Sequence, residues 1–227
     1  MTKYLLIAAA EDEEAGRKID VNDVAGFFGH VLERINFSRD LHFETSTSID
    51  TLDYTGSKLN HGSKLTLATA GLKKRKLRHN PEDLQTLKIP GITAAKIPMP
   101  GVIVLQGPAY DSTTRDAFMA QIEEALAHWE FRENYPWISI VDSELDSSLD
   151  SGNLRDFLWL TFTRSDPAKD VFGYRAQVCE KHWACEAPLM VDARIKPHHQ
   201  KALTVPEEIR ERARQVLEEE KVLGGCK

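Results

Sequence analysis

Two Gly-Ser-Lys triplets, Gly56-Ser57-Lys58 and Gly62-Ser63-Lys64, follow one another closely in a Thr- and Ser-rich stretch. Glycines beside a hydroxyl and a lysine are the equipment of a phosphate cradle, because they offer free backbone N–H groups and a point charge. The spacing argues for a turn instead. A nucleotide-binding loop needs four residues between its glycines and then Lys before Ser or Thr, whereas five intervene here and Ser63 precedes Lys64. A second set is Cys179, His182 and Cys185, spaced C-x-x-H-x-x-C, with His198 and His199 further on. Thiolate and imidazole suit zinc, but no second C-x-x-C accompanies them, so this is a weak metal candidate beside a buried thiol pair with a turn histidine. A third set, Asp142, Glu144 and Asp146, ends a strand-like run, where α/β folds often place sites. Nothing nearby fixes a partner for these carboxylates, and a solvated acidic loop is the favoured reading. No G-x-S-x-G is present to supply a nucleophile on a strained turn.

The elements that must position these residues come from a chain of ordinary globular composition. It has 227 residues, 41% of them hydrophobic, which excludes collagen and disorder. The net charge of −6 hides an uneven distribution, since Lys73, Lys74, Arg75, Lys76 and Arg78 are one basic run in an otherwise acidic chain. An acidic body repels a phosphate backbone, so no nucleic acid is expected as partner. No apolar stretch approaches the roughly 20 residues of a membrane span, and neither a membrane partner nor a signal peptide is expected. Three cysteines without a disulfide framework suit a reducing cytoplasm.

Tyr4 to Ala10 reads as a buried strand, and Val24, Phe28, Val31 and Ile35 as one face of a helix that Asp20 or Asn22 could cap. Strands follow at Leu41 to Thr45 and Lys64 to Ala70. After a connector rich in Pro and Gly, Val102 to Leu105 reads as a strand. Phe118, Ile122, Ala125 and Trp129 mark a helix with Thr113 and Asp116 as capping box. Trp137 to Val141, Val171 to Gln177 and Leu189 to Ala193 read as strands, Leu154 to Thr163 as a buried helix, and Thr204, Pro206 and Glu207 open a last helix stitched by Glu208 with Arg212. The expected fold class is α/β, with two related repeats whose sheets are flanked by helices. The first repeat is expected over 1–72, the basic, Pro-rich connector over 73–100, and the second repeat with the C-terminal helix over 101–227.

An offset of 130 residues places Asp20 on Asp150, Phe27 on Phe157, Arg34 on Arg164, Arg39 on Lys169, Asp40 on Asp170 and Leu41 on Val171. The Arg and Asp pairs are expected to tie a turn in each repeat. The segments WISIVDSELDSS, LWLTFTRSDPAKDVFGYRA and APLMVDARIKP resemble the C-terminal region of the UbiD family of carboxy-lyases. TSTSIDTLDYTGSKLNHGSKLTLATAG and VIVLQGPAYD are similar to the long form of that family, in which the region is doubled.

The resemblance implies an assembly and closure module or subunit of a prenylated-flavin-dependent aromatic acid (de)carboxylase, non-catalytic alone. The family's catalytic arginine and two glutamates belong to a region this chain does not match, so no catalytic or cofactor-binding residue is assigned. Prenylated FMN and its metal ion are expected in a UbiD-like catalytic partner, and the chain is expected to form oligomers. By the same resemblance Lys58, Gly62, Ser63, Lys64, Asp192 and Lys196 face that partner. The first copy keeps Gly62, Ser63 and Lys64 where the second keeps Asp192, Ala193 and Lys196. The alternative is an independent, non-enzymatic binding protein that retains the fold.

Overall fold

Half-buried and exposed residues alternate along Tyr4–Ala8 (β1), so the strand expected to be buried throughout leaves Leu5 and Ile7 exposed while its inward face of Tyr4, Leu6 and Ala8 packs on the core. The computed structural model describes residues 2–9, 19–56, 58–142, 150–200 and 205–219. Helix α1 (Val24–Arg34) follows, capped by Asp23, whose carboxylate accepts the Gly26 N–H, rather than by Asp20 or Asn22. Strands β2 (Leu41–Ser48) and β3 (His61–Thr69) complete a three-stranded sheet of order β1-β3-β2, with β1 parallel and β2 antiparallel to β3.

The basic run closes the end of α1. Arg75 Nη1 donates to the Leu32 carbonyl at 2.6 Å, the Lys74 N–H donates to the Glu33 carbonyl at 2.8 Å, and Lys73 pairs with Glu33 at 3.1 Å. These carbonyls have no partner within the helix, and cations suit that end of the helix dipole. Residues Pro81–Thr86 form a 3₁₀ helix, and Ala94–Met99 form β4, antiparallel to β5 (Val102–Gly107). The segment expected as an irregular connector therefore supplies a strand. Ile97 and Met99 are its buried residues, and Pro98 is tolerated because β4 lies at the sheet edge.

Helix α2 (Arg115–Ala127) begins without the expected capping box: Thr114 is its N-cap and makes no side-chain cap bond, while Asp111 accepts the Thr113 N–H at 2.8 Å. The second sheet has the order β4-β5-β6-β8-β7, with β6 at Trp137–Asp142, β7 at Val171–Cys179 and β8 at His182–Asp192. Helix α3 (Leu154–Thr163) and the short α4 (Pro167–Asp170) lie between β6 and β7 in sequence. Helix α5 (Glu207–Glu219) carries Arg210–Glu207 and Arg214–Glu211 pairs. Thr204 and Cys226 lie outside the described residues.

Strand directions recur. As β1 is parallel and β2 antiparallel to β3, so β6 is parallel and β7 antiparallel to β8, with Leu41 opposite Leu67 and Val171 opposite Val191. One apolar core joins the two units: Phe28 of α1 meets Trp137 of β6 edge-on at 5.2 Å and stacks on Phe157 of α3 at 6.2 Å. A second core lies under α2, where Phe118, Met119, Ile122 and Leu126 cover Ile103, Leu105, Ile138 and Ile140.

Candidate functional site

The turns that follow α1 and α3 are built alike. Asp40 accepts the Asn36 N–H at 2.8 Å, and Asp170 accepts the Asp166 N–H at 2.7 Å. In both, the aspartate N–H returns to the carbonyl of the same residue at 2.8 Å. The aspartates do tie the turns. The arginines diverge, because Arg34 Nη1 donates to the His30 carbonyl of its own helix whereas Arg164 pairs with Asp142 across 3.6 Å.

Beyond that turn the second unit concentrates buried charge at the carboxyl ends of β6 and β8. Asp192 is fully buried and is gripped from two sides by Arg194, Nε to Oδ1 at 2.9 Å and Nη2 to Oδ2 at 2.8 Å. The Arg194 guanidinium lies 4.8 Å from the Phe118 ring centroid and donates to the Pro108 carbonyl at 3.3 Å, which anchors β8 to the end of β5. Lys196, 3% exposed, sends its ammonium to the carbonyls of Asp192 and Arg164 and lies 3.2 Å from the Asp170 carboxylate. Burial pushes the Lys196 ammonium below its usual range and the Asp170 carboxyl above its own, while each charge pulls the other back. His199 accepts the Lys196 N–H through Nδ1 at 3.3 Å, which leaves the proton on a buried Nε2. Burial, helped by the positive charges of Lys196 and Arg164, lowers His199 to about 4.

Chemically this is a clamp. Bidentate, carbonyl and carboxylate contacts occupy both Arg194 and Lys196, so their charge fixes residues 193–199 against the α3–α4 turn.

Ser63 crosses between the units. Its hydroxyl donates to Asp166 and accepts the Ala168 N–H at 2.8 Å, and in return the Cys185 N–H on β8 donates to the Phe37 carbonyl at 3.2 Å. The expected partner-facing residues thus divide. Lys58 is exposed and Lys64 half-buried, opposite Glu44 on β2, while Gly62, Ser63, Asp192 and Lys196 are buried within the chain. Both glycines of the tandem triplet answer to packing: a Cβ on Gly56 would fall 2.1 Å from the His61 carbonyl oxygen, and one on Gly62 would fall 2.8 Å from Ile49. Ser57 lies outside the described residues.

Cys179 and His182 sit opposite each other in the β7–β8 hairpin, with Cys179 exposed and Cys185 buried. Burial pushes the Cys185 thiol up to about 12, where it is a weak ligand. Among the described residues no three or more His, Cys, Asp or Glu side chains are placed to hold a metal ion. Of the acidic set, Asp142 accepts the Ile195 N–H at 3.0 Å and so belongs to the clamp; Glu144 and Asp146 lie outside the described residues. Arg194 escapes sequence reasoning, although the alternation Asp192, Arg194, Lys196 at the end of an apolar strand was the available signal.

Residues 1–69 match the family model of the 3-octaprenyl-4-hydroxybenzoate carboxy-lyase C-terminal domain. An uncharacterized protein of Chlamydia trachomatis is 32% identical over 208 residues, 91% of this chain and 32% of that protein. A Chlamydia pneumoniae protein, named as a subunit of 4-hydroxybenzoate decarboxylase, is 29% identical over 205 residues, 90% of this chain and 31% of that protein. The chain spans about a third of the length of these curated relatives. Among solved structures, the closed form of the Sedimentibacter hydroxybenzoicus vanillic acid decarboxylase is 15% identical with a TM-score of 0.39, covering 77% of this chain and 44% of that one.

Proposed function

We propose, for a chain that belongs to the UbiD carboxy-lyase family through its C-terminal-domain region, a role as assembly and closure module of a prenylated-flavin-dependent aromatic acid (de)carboxylase. The supporting observation is the kind of region matched: the family model describes a C-terminal domain, and a relative is named as part of a decarboxylase. The described residues do not fit the cofactor itself. The buried cations at the strand ends are engaged by the chain's own carboxylates and carbonyls, and no cluster of His, Cys, Asp or Glu there suits a metal.

On this reading prenylated FMN and its metal belong to a UbiD-like catalytic partner, over which the two units move together. A closing lid excludes water from a carbanion-like intermediate, the service this module would provide. Lys58 and Lys64 are the lysines of the expected set that reach the surface. Replacing both with Ala is expected to weaken association with the catalytic partner at low salt and to matter less at high salt, read by calorimetry. Equal affinity of both proteins at both salts removes these lysines from the interface. A stoichiometric flavin absorbance band in the purified chain overturns the assignment of the cofactor to the partner.

A further inference from the structure

The two units differ in what lies beside and above their first strand. In the second unit β5 runs parallel along the outer edge of β6, and α2 covers the sheet, burying Ile138, Ile140 and Met190. The strand registers superpose the units: Tyr4 opposite Leu65 corresponds to Trp137 opposite Leu189. Leu5 and Ile7 therefore stand where Ile138 and Ile140 stand, and Thr66 where Met190 does. Ile138 and Ile140 are fully buried, whereas Leu5 is 45% and Ile7 44% exposed.

The edge differs as well. The Leu65 N–H donates to the Lys3 carbonyl and the Ala9 N–H to the Thr69 carbonyl, so by alternation the amides of Leu6 and Ala8 point away from β3. Among the described residues no strand pairs with that edge. Helix α5 does not cover the face, being exposed at each described side chain. An apolar pair beside an open edge is a docking surface for a strand and a helix together.

We propose that the outer edge of β1 and the Leu5–Ile7 face bind a parallel strand followed by an amphipathic helix from the catalytic partner, completing the first unit as β5 and α2 complete the second. The relatives carry about two thirds of their length outside the stretch that this chain matches, ample for such a segment. The partner's identity rests on the function proposed above; the geometry of the surface does not. A second copy of this chain is the poorer occupant, because its β5 and α2 are already used in its own sheet and core.

The test uses the full chain, its Leu5→Lys/Ile7→Lys variant, and as probe the Chlamydia pneumoniae relative from which the matching stretch is deleted, its fold checked by circular dichroism. The wild-type chain is expected to bind the probe, the variant to bind at least tenfold more weakly, and the Leu6 and Ala8 amides to exchange more slowly in the complex. Equal binding by both chains, or unchanged exchange at those amides, overturns the surface and leaves the proposed function standing. Binding by neither overturns both. A dimer of the chain alone that the variant abolishes makes a second copy the occupant and also overturns the proposal. The variant is expected to melt within a few degrees of wild type; if it unfolds, Leu5→Ala/Ile7→Ala repeats the measurement, and unfolding of that milder variant shows that the chain itself covers the face, against the proposal.

Discussion

The two units share one strand order and one carboxylate-tied turn, yet among the described residues only the second carries a buried charge clamp. Where β8 ends in Asp192 and continues to Arg194 and Lys196, β3 ends in Ala68 and Thr69 and leads into the basic strap on α1. The turn therefore needs only its aspartate and a backbone N–H. The clamp is a separate device, tied to the presence of β5 and its Pro108 carbonyl. The second unit is also covered by α2, where among the described residues nothing covers Leu5 and Ile7 of the first. Topology and charge are thus independent parts of this architecture.

Removing the clamp's ammonium should separate the units most. Lys196→Ala leaves the buried Asp170 without its cation, and a loss of about 3–5 kcal/mol is expected in urea unfolding. Lys64→Ala in the first unit is expected to stay within about 0.5 kcal/mol. Loss of similar stability from both substitutions breaks the contrast. The next effect compares equivalent apolar positions: Ile140→Ala should cost about 2–5 kcal/mol and Ile7→Ala about 0.5 kcal/mol or less, both by thermal denaturation.

The turns should respond alike instead. Asp40→Ala and Asp170→Ala each remove a carboxylate that accepts a backbone N–H, at a cost of about 1–2 kcal/mol. A further penalty in Asp170→Ala belongs to its pairing with Lys196, and the double variant with Lys196→Ala measures it as a coupling.

The smallest expected effect is pH dependence. His199 has a folded pKa lowered to about 4, from an ordinary value of 6.5, so the unfolded chain binds the proton more readily. Its contribution is full above pH 6.5 and is lost as pH falls toward 4. Discounted for partial exposure, this is about 1 kcal/mol, or a Tm change of roughly 2–4 °C. His199→Gln should flatten the Tm profile over that window, and an unchanged slope assigns it to other groups.

Strongly apolar runs were legible in the sequence: Leu154–Thr163 forms a helix over the expected residues, although Trp159 is 60% exposed in a helix expected to be buried, and β5 and β6 extend the expected strands by two residues and by one. Local side-chain choices were not. Several aspartates precede α1, and only the fold selects Asp23 as its cap. Strand β4 hides behind Pro98, which an edge strand accommodates. The β7–β8 hairpin turns on Glu180 and Lys181, with φ of 49° and 69°, without the glycine that usually announces such a turn. At the candidate site, Asp192 and Lys196 stood out by resemblance, but their burial follows from Arg194, the Pro108 carbonyl and the neighbouring turn, contacts that span distant parts of the chain.

The crossing of Ser63 to Asp166 and Ala168 has a consequence for synthesis. The Ala168 N–H that meets Ser63 is 105 residues later in the chain. At about 5–20 residues per second on the ribosome, β3 waits roughly 5–20 s for its closing turn. Until Trp137–Asp142 and then Leu154–Thr163 are made, which takes up most of that interval, the apolar side of the first sheet, with Leu65 and Leu67, has neither β6 nor α3 to pack against. The nascent first half is therefore the stage at which a holding chaperone would have most to protect.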